Sequence, residues 1–245
     1  MSDISTDRYA AAAGDYDLFN LAARGGQVAA LAAFARSIRT TNGPVLDVGA
    51  GSGLNAAWLL EHLPAAQVLA LEPSPAMRSL ASSRIAAHPE WFDRVTVRPE
   101  DFFSASLPER IGGAVLLGVL GHFDAMERAA VFAELASRLP AGGVALLDLQ
   151  QPERPTRIEA HEFTAAVVGE LTYRGIAEAW PLDIERMRWK MTYLTLEGDR
   201  VLTEATAELD YHHPTAQTVR TEAAGAGLDL ERLGGSTHWI LTRQS

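Results

Sequence analysis

The sequence predicts an α/β protein in which a largely parallel sheet is covered by helices on both faces and an antiparallel β insert follows the fifth strand. Three observations carry this. A short apolar strand, Val45-Leu-Asp-Val48, runs into the glycine turn Gly49-Ala-Gly-Ser-Gly53 and then into a helical stretch from Leu54 to Leu63, the opening of a nucleotide-binding α/β unit. Strands and helices then alternate as far as Asp148, which argues for parallel pairing with both faces covered. After Gln151 come four strand-like runs with very short connections, and connections that short demand antiparallel pairing.

Taken in order, the chain begins with a polar stretch, Met1 to Tyr9, and an alanine-rich tract, Ala10 to Ala13. From Gln27 to Ile38 the residues Val28, Leu31, Ala32, Phe34, Ala35 and Ile38 recur at helical steps, and Thr41-Asn-Gly-Pro44 ends that helix. Beyond the glycine turn, strands are expected at Gln67–Glu72, Val95–Val97, Gly113–Leu117 and Val144–Asp148, with helices at Ser74–His88 and Asp124–Leu139 between them. The insert is read as strands Phe163–Leu171, Tyr173–Trp180, Met187–Leu196 and Val201–Tyr211, the last two joined by Glu197-Gly-Asp-Arg200. The first of these runs is also compatible with helix. A helix, Thr215–Ala226, and two strands, Leu228–Leu233 and Thr237–Arg243, resume the α/β pattern. The organisation is therefore residues 1–40 as N-terminal helices and lid, 41–151 with 214–245 as the core, and 152–213 as the insert.

Composition narrows the function classes. The 245 residues hold 21 Lys and Arg against 31 Asp and Glu, a formal charge of -10, so a polyanion is repelled and nucleic acid is not expected as a partner. There is no cysteine, which removes disulfides, thiolate zinc sites and cysteine nucleophiles. No apolar run approaches the roughly 18 residues that a membrane helix needs, and no Gly-x-Ser-x-Gly elbow marks a serine nucleophile. The expectation is a soluble, cytoplasmic protein without a membrane partner.

The spacing of the glycine turn discriminates between cofactors. Alternating Gly49, Gly51 and Gly53 let the backbone turn sharply and a bulky ligand approach it. A dinucleotide fingerprint would place its third glycine at Leu54. Asp47-Val-Gly-Ala-Gly-Ser-Gly53 resembles motif I of the class I S-adenosylmethionine-dependent methyltransferases, and further landmarks follow in that family's order. Glu72 closes the second strand before Pro73-Ser-Pro-Ala-Met77, Glu100-Asp101-Phe102 follows the third, Leu117-Gly-Val-Leu-Gly-His122 ends the fourth, and Leu139-Pro-Ala-Gly-Gly143 precedes the fifth. The resemblance implies a Rossmann-like seven-stranded methyltransferase sheet with S-adenosylmethionine as cofactor and S-adenosylhomocysteine as product. It implies that Asp47 and the three glycines cradle the cofactor and that Glu72, beside Pro73, accepts both ribose hydroxyls. It further implies that Asp101, or alternatively Glu100, takes the adenine amino group, that Phe102 and Met77 pack on the ring, and that carbonyls near Leu117 face the methionine end.

The insert is similar in placement to that of small-molecule methyltransferases such as glycine N-methyltransferase and the sugar N,N-dimethyltransferases of antibiotic pathways. By that resemblance Arg8-Tyr9 and Asp15-Tyr-Asp-Leu-Phe19 form a lid in which Tyr9 or Tyr16 touches the methionine end. His122, just past the fourth strand and close to neutrality in its ordinary pKa, is the candidate general base. Tyr193 and His213, with His161, Trp180 and Trp189, are candidate lining for an acceptor pocket. His212 and His213 have no third histidine at ligand spacing, and no metal is expected. The reading is methyl transfer to nitrogen or oxygen of a small molecule, in secondary metabolism. Two alternatives stay open, a cyclase or decarboxylase on the same fold and a non-enzymatic binding module. The unpaired edges of the insert make a homodimer an expectation as well.

Overall fold

The computed structural model describes residues 7–11 and 13–245. Expectations that fall on residues 1–6 and on Ala12 lie outside the described residues. Seven strands form one sheet in the order β10-β11-β5-β4-β1-β2-β3. They are β1 (Val45–Val48), β2 (Val68–Leu71), β3 (Val95–Arg98), β4 (Gly113–Leu116), β5 (Val144–Asp148), β10 (Leu228–Arg232) and β11 (His238–Arg243). The first five pair in parallel, whereas β11 runs antiparallel between β5 and β10. Strand order reverses between β1 and β4, which opens a crevice at their carboxyl ends.

Two apolar layers hold the sheet. On one face Leu31 and Phe34 of α2 (Leu21–Ala35) and Leu59 and Leu60 of α3 (Leu54–His62) pack over Val45, Val115 and Leu146. On the other, Val131, Phe132 and Leu135 of α5 (Ala125–Arg138) and Val219 and Ala223 of α6 (Ala216–Gly225) cover Leu46, Leu116 and Leu147. Strand alternation thus puts Asp47 on the α2–α3 face, together with Val45. The helix starts are written locally. Ser74 caps α4 (Pro75–Ala86) through Met77 N–H, and Asp124 with Glu127 forms a reciprocal capping box on α5. Helix α2 begins six residues before the start that the periodicity implies, because Gly25 and Gly26 interrupt the apolar pattern without breaking the helix.

The insert is a four-stranded meander, β6-β7-β8-β9, wholly antiparallel. Its strands are β6 (Ile158–Val168), β7 (Leu171–Pro181), β8 (Arg186–Glu197) and β9 (Arg200–His212). The first two differ from the sequence expectation. The turn is Gly169-Glu170, with Gly169 at φ 61°, and Leu171 opens the second strand instead of closing the first. The apolar pattern runs on across this break, and its one local sign is Gly169, the residue that takes a positive φ without strain. The short helix α1 (Tyr16–Phe19) packs on β6 and β7, and β9 packs on the turn Leu120–His122 that follows β4. The insert therefore stands over the carboxyl edge of the sheet. Arg128, fully buried on α5, fixes it there by pairing with Glu222 of α6 at 2.8 Å and with Glu185 of the β7–β8 loop at 2.6 Å. Among the described residues no helix is long and apolar enough to cross a membrane.

Candidate functional site

The crevice is floored by the β1–α3 turn. Gly49, Gly51 and Gly53 all take left-handed φ, at 62°, 57° and 80°. A Cβ at Gly49 would lie 2.7 Å from Val119 Cγ2, and one at Gly53 would lie 3.0 Å from Ala81 Cβ. Conformation disfavours a side chain at all three positions, and space does so at Gly49 and Gly53. Under this turn lies Asp47, 1% exposed, with neither carboxylate oxygen in a hydrogen bond of good geometry. Burial, reinforced by the nearby Glu72 charge, pushes its carboxyl up to about 7, against a smaller opposing pull from the Ala56 N–H.

Glu72, at the end of β2, is buried and already oriented. Its Oε2 accepts from Gly51 N–H at 2.7 Å and its Oε1 from Ser74 N–H at 2.8 Å. A carboxylate has about four acceptor positions, so each oxygen keeps capacity for a further donor such as a hydroxyl. Burial raises its pKa, opposed by those two N–H groups. Pro73 beside it is exposed, and Met77 is buried at the first turn of α4.

The third landmark is arranged differently from the first two. Asp101 is exposed, and its Oδ1 is occupied by Phe103 N–H, Ser104 N–H and Ser104 Oγ at 2.8–2.9 Å, which makes it the cap of its own turn. Glu100 pairs with Arg98 at 3.4 Å and keeps a buried, unpartnered Oε2. Phe102 is buried, edge-on to Phe103 and Phe123. Leu117 is buried at the end of β4.

The N-terminal segment closes over this floor, and two aspartates that the sequence does not single out pin it. Asp7 accepts from Ser74 Oγ at 2.8 Å and Ala76 N–H at 3.1 Å. Asp17 accepts from Ser52 Oγ at 2.5 Å and pairs with Arg84. Between the pins, Tyr9 Oη and His122 Nε2 lie 2.7 Å apart, and the rings of Tyr9 and Tyr16 meet edge-on at 6.4 Å. His122 in turn meets Tyr211 of β9 edge-on at 4.8 Å, and Phe19 lies 4.7 Å from Tyr193 of β8. Burial, with a smaller push from Arg8, lowers His122 to about 4, while burial raises Tyr16 and Tyr193 to about 12. The structure thus gathers Tyr9, Tyr16, His122, Tyr193 and Tyr211 where three parts of the chain converge.

His213 touches the edge of that gathering, its ring 5.9 Å from that of Tyr211, but its nitrogens are engaged elsewhere. Trp189 Nε1 donates to its Nε2 at 3.0 Å, its Nδ1 lies 2.8 Å from the Pro152 carbonyl, and it is 2% exposed. With both nitrogens engaged it ties the two ends of the insert together and has no polar atom left for a ligand. His161 is exposed on β6. Asp148, which in the sequence marks only a strand end, is the one residue of β5 that is not buried, and its Oδ1 accepts from Gly118 N–H at 2.7 Å.

These residues fit S-adenosylmethionine. The turn leaves room for a bulky ligand, Glu72 keeps acceptor capacity that suits hydroxyl groups, and a buried carboxylate, Asp47, lies under the turn. Comparison with known proteins agrees. Residues 45–143 match the family described as a methyltransferase domain, and the search of curated proteins found no match. Among solved structures, an S-adenosylmethionine-bound amino pentose methyltransferase from Micromonospora echinaspora, involved in calicheamicin biosynthesis, is 21% identical, with 89% of this chain and 91% of that one covered at TM-score 0.71. A sugar N-methyltransferase from Streptoalloteichus is 23% identical over 94% and 93% of the two chains at TM-score 0.69. DesVI of Streptomyces venezuelae is 19% identical over 95% and 98% at TM-score 0.76. Likeness at this level of identity shows a common fold, insert included.

Proposed function

We propose that the S-adenosylmethionine-dependent methyltransferase domain of this chain methylates the nitrogen of a small-molecule amine, with amino sugars as the first class to examine. The observation that carries the choice of nitrogen is His122. It is the imidazole that Tyr9 meets, through its Nε2, and burial lowers its pKa to about 4. A base that weak does little to deprotonate a hydroxyl, and an amine needs no base once it is neutral. The similar solved structures include a sugar N-methyltransferase and a glycopeptide N-methyltransferase, which supports the same reading.

Bound S-adenosylmethionine supplies a methyl group on a sulfonium, an already activated leaving group. What this chain adds is position and dryness. The glycine turn and Glu72 would fix the adenosine end, with Asp47 beneath the amino-acid end. Tyr9, Tyr16, Tyr193 and Tyr211 would then wall the acceptor so that its lone pair lies in line with the carbon–sulfur bond. The nitrogen–carbon bond forms as that bond breaks, its electron pair stays on sulfur, and the product ammonium gives its proton to solvent.

Incubation with methyl-labelled S-adenosylmethionine and matched amine and alcohol pairs, D-glucosamine and D-glucose among them, tests the reading by mass spectrometry. Label on nitrogen of the amines alone is the expected result. Label on oxygen, or S-adenosylhomocysteine formed with no methylated product from any amine, would overturn it.

A further inference from the structure

We infer that Asp148 is the acceptor-binding carboxylate, pairing with the substrate amine in its ammonium form inside the box of tyrosines, the ammonium giving up its proton to solvent before its lone pair attacks; this rests on the amine reading above and names the group that would recognise it. The argument begins with strand β5. Its first four residues are buried and only the last, Asp148, opens beyond the strand end. That end lies on the far side of β4 from β1 and β2, so it faces the half of the crevice that Gly49–Gly53 and Glu72 leave free.

One oxygen of Asp148 is spoken for by Gly118 N–H at 2.7 Å. Among the described residues the other oxygen accepts no hydrogen bond from a second residue, and it is not sealed from solvent. It is therefore an accessible acceptor held in a fixed direction by its twin. No Lys or Arg neutralises this carboxylate among the described residues. Its neighbour across the β5–β11 pair is His238, whose buried Nδ1 has no partner. Burial lowers the pKa of His238 against a smaller opposing pull from Asp148, and burial raises the pKa of Asp148 itself, opposed by Gly118 N–H and by His238, so an added cation is what would draw this carboxylate to its charged form.

The walls around it are aromatic. Gly118, whose N–H Asp148 holds, lies just before the turn Leu120–His122 on which β9 packs, and there His122 meets Tyr211 of β9 on one side and Tyr9, itself edge-on to Tyr16, on the other. Successive rings there meet at steep angles, 82° for Tyr9 and Tyr16 and 77° for His122 and Tyr211, the arrangement of box walls and not of a stack. A lone carboxylate among tyrosine faces selects an alkylammonium over a neutral group of the same shape, by charge pairing and cation–π attraction together. A neutral sugar or alcohol offers that site nothing equivalent.

The test uses the whole chain saturated with S-adenosylhomocysteine and titrated calorimetrically with D-glucosamine and tetramethylammonium, with D-glucose and tert-butanol as neutral counterparts. The expected result is that at least one cation binds and the neutral members bind at least about tenfold more weakly, a difference of about 1.4 kcal/mol. Asp148→Asn, whose amide oxygen still accepts from Gly118, should lose that preference while S-adenosylhomocysteine affinity stays within about threefold. The wild-type comparison stands even if the variant fails to fold. Equal binding of cation and neutral partner, binding of neither cation, or a large loss of S-adenosylhomocysteine affinity in the variant would overturn the assignment. Methyl transfer to amines by wild type alongside such a result would leave the proposed reaction standing and remove only Asp148 from it.

Discussion

Asp47→Asn gives the sharpest physical test of the site, because it turns a buried, unpartnered carboxylate into a neutral group of the same shape. Burial raises the Asp47 carboxyl from 3.8 to about 7 in the folded chain. A carboxyl raised on folding binds its proton more tightly in the native state. Its contribution to stability is therefore fully present below about pH 4 and is lost as pH rises through about 7. At 1.36 kcal/mol per unit the whole effect is about 4 kcal/mol, of which about 2 kcal/mol falls between pH 5.5 and 8. The ligand-free wild type should thus lose about 2 kcal/mol relative to Asp47→Asn across that range, since the carboxylates that do not interact with Asp47 titrate alike in both proteins. Urea unfolding of the pair at half-unit pH steps measures this difference directly. A flat difference, or one that favours wild type as pH rises, would mean that Asp47 is ionised throughout and that the unpartnered geometry has been misread.

Glu72→Ala should weaken S-adenosylhomocysteine binding by about 1–3 kcal/mol in calorimetry, through loss of a charged acceptor, and an unchanged affinity would remove it from the site. Gly121→Ala puts a Cβ 1.9 Å from Tyr211 Cε1 and 2.6 Å from the His212 carbonyl. The insert must shift, with a stability loss of about 1–3 kcal/mol and a loss of acceptor turnover, while S-adenosylhomocysteine affinity holds; a variant with normal Tm and turnover would show that β9 yields without consequence. Arg128→Met strands Glu222 and Glu185 and should lower unfolding free energy by about 3–5 kcal/mol, which a denaturant titration would refute if it moved by less than about 1 kcal/mol. S-adenosylhomocysteine should tighten binding of the amine probe, since the lid bonds to the cofactor edge and walls the acceptor space; identical affinities with and without it would separate the two functions.

Legibility in the sequence follows the range of the forces involved. The β1–turn–α3 unit is written in consecutive residues, each glycine needed where it stands, and it is readable to within a residue. Ser74, Asp124 and Thr215 announce their helices in the same local way. The pins of the lid are not readable. Asp7 meets Ser74 across 67 positions and Asp17 meets Ser52 across 35, and nothing in a polar stretch distinguishes a carboxylate with a partner from one in water. His213 shows the converse. Its position beside His212 and Pro214 resembles that of a pocket residue, and only the fold reveals that Trp189 and Pro152 consume both nitrogens. Asp148 is hidden by its own regularity, since the last residue of a buried strand looks like the end of an apolar run until the neighbouring strands show what it faces.

The same geometry explains why a lid and an insert occur together. The floor built by Gly49–Gly53 and Glu72 is made of backbone and one carboxylate, and it holds a ligand without enclosing it. Enclosure comes from residues 7–19, and these have two kinds of contact. Their polar pins reach the floor at Ser52, Ser74 and Ala76. Their aromatic contacts reach the turn after β4 at His122 and the insert at Tyr193. A segment bonded to the cofactor edge on one side and to the acceptor wall on the other ties the state of the first to the shape of the second, through side chains that already touch. The insert needs to be rigid for this to work, and the Arg128 pairs and the bonded His213 hold it at both ends. On the proposed reading, water would be excluded from the space around the reacting atoms only when all three parts are in place, which is the condition an in-line displacement with a preactivated leaving group requires of its protein.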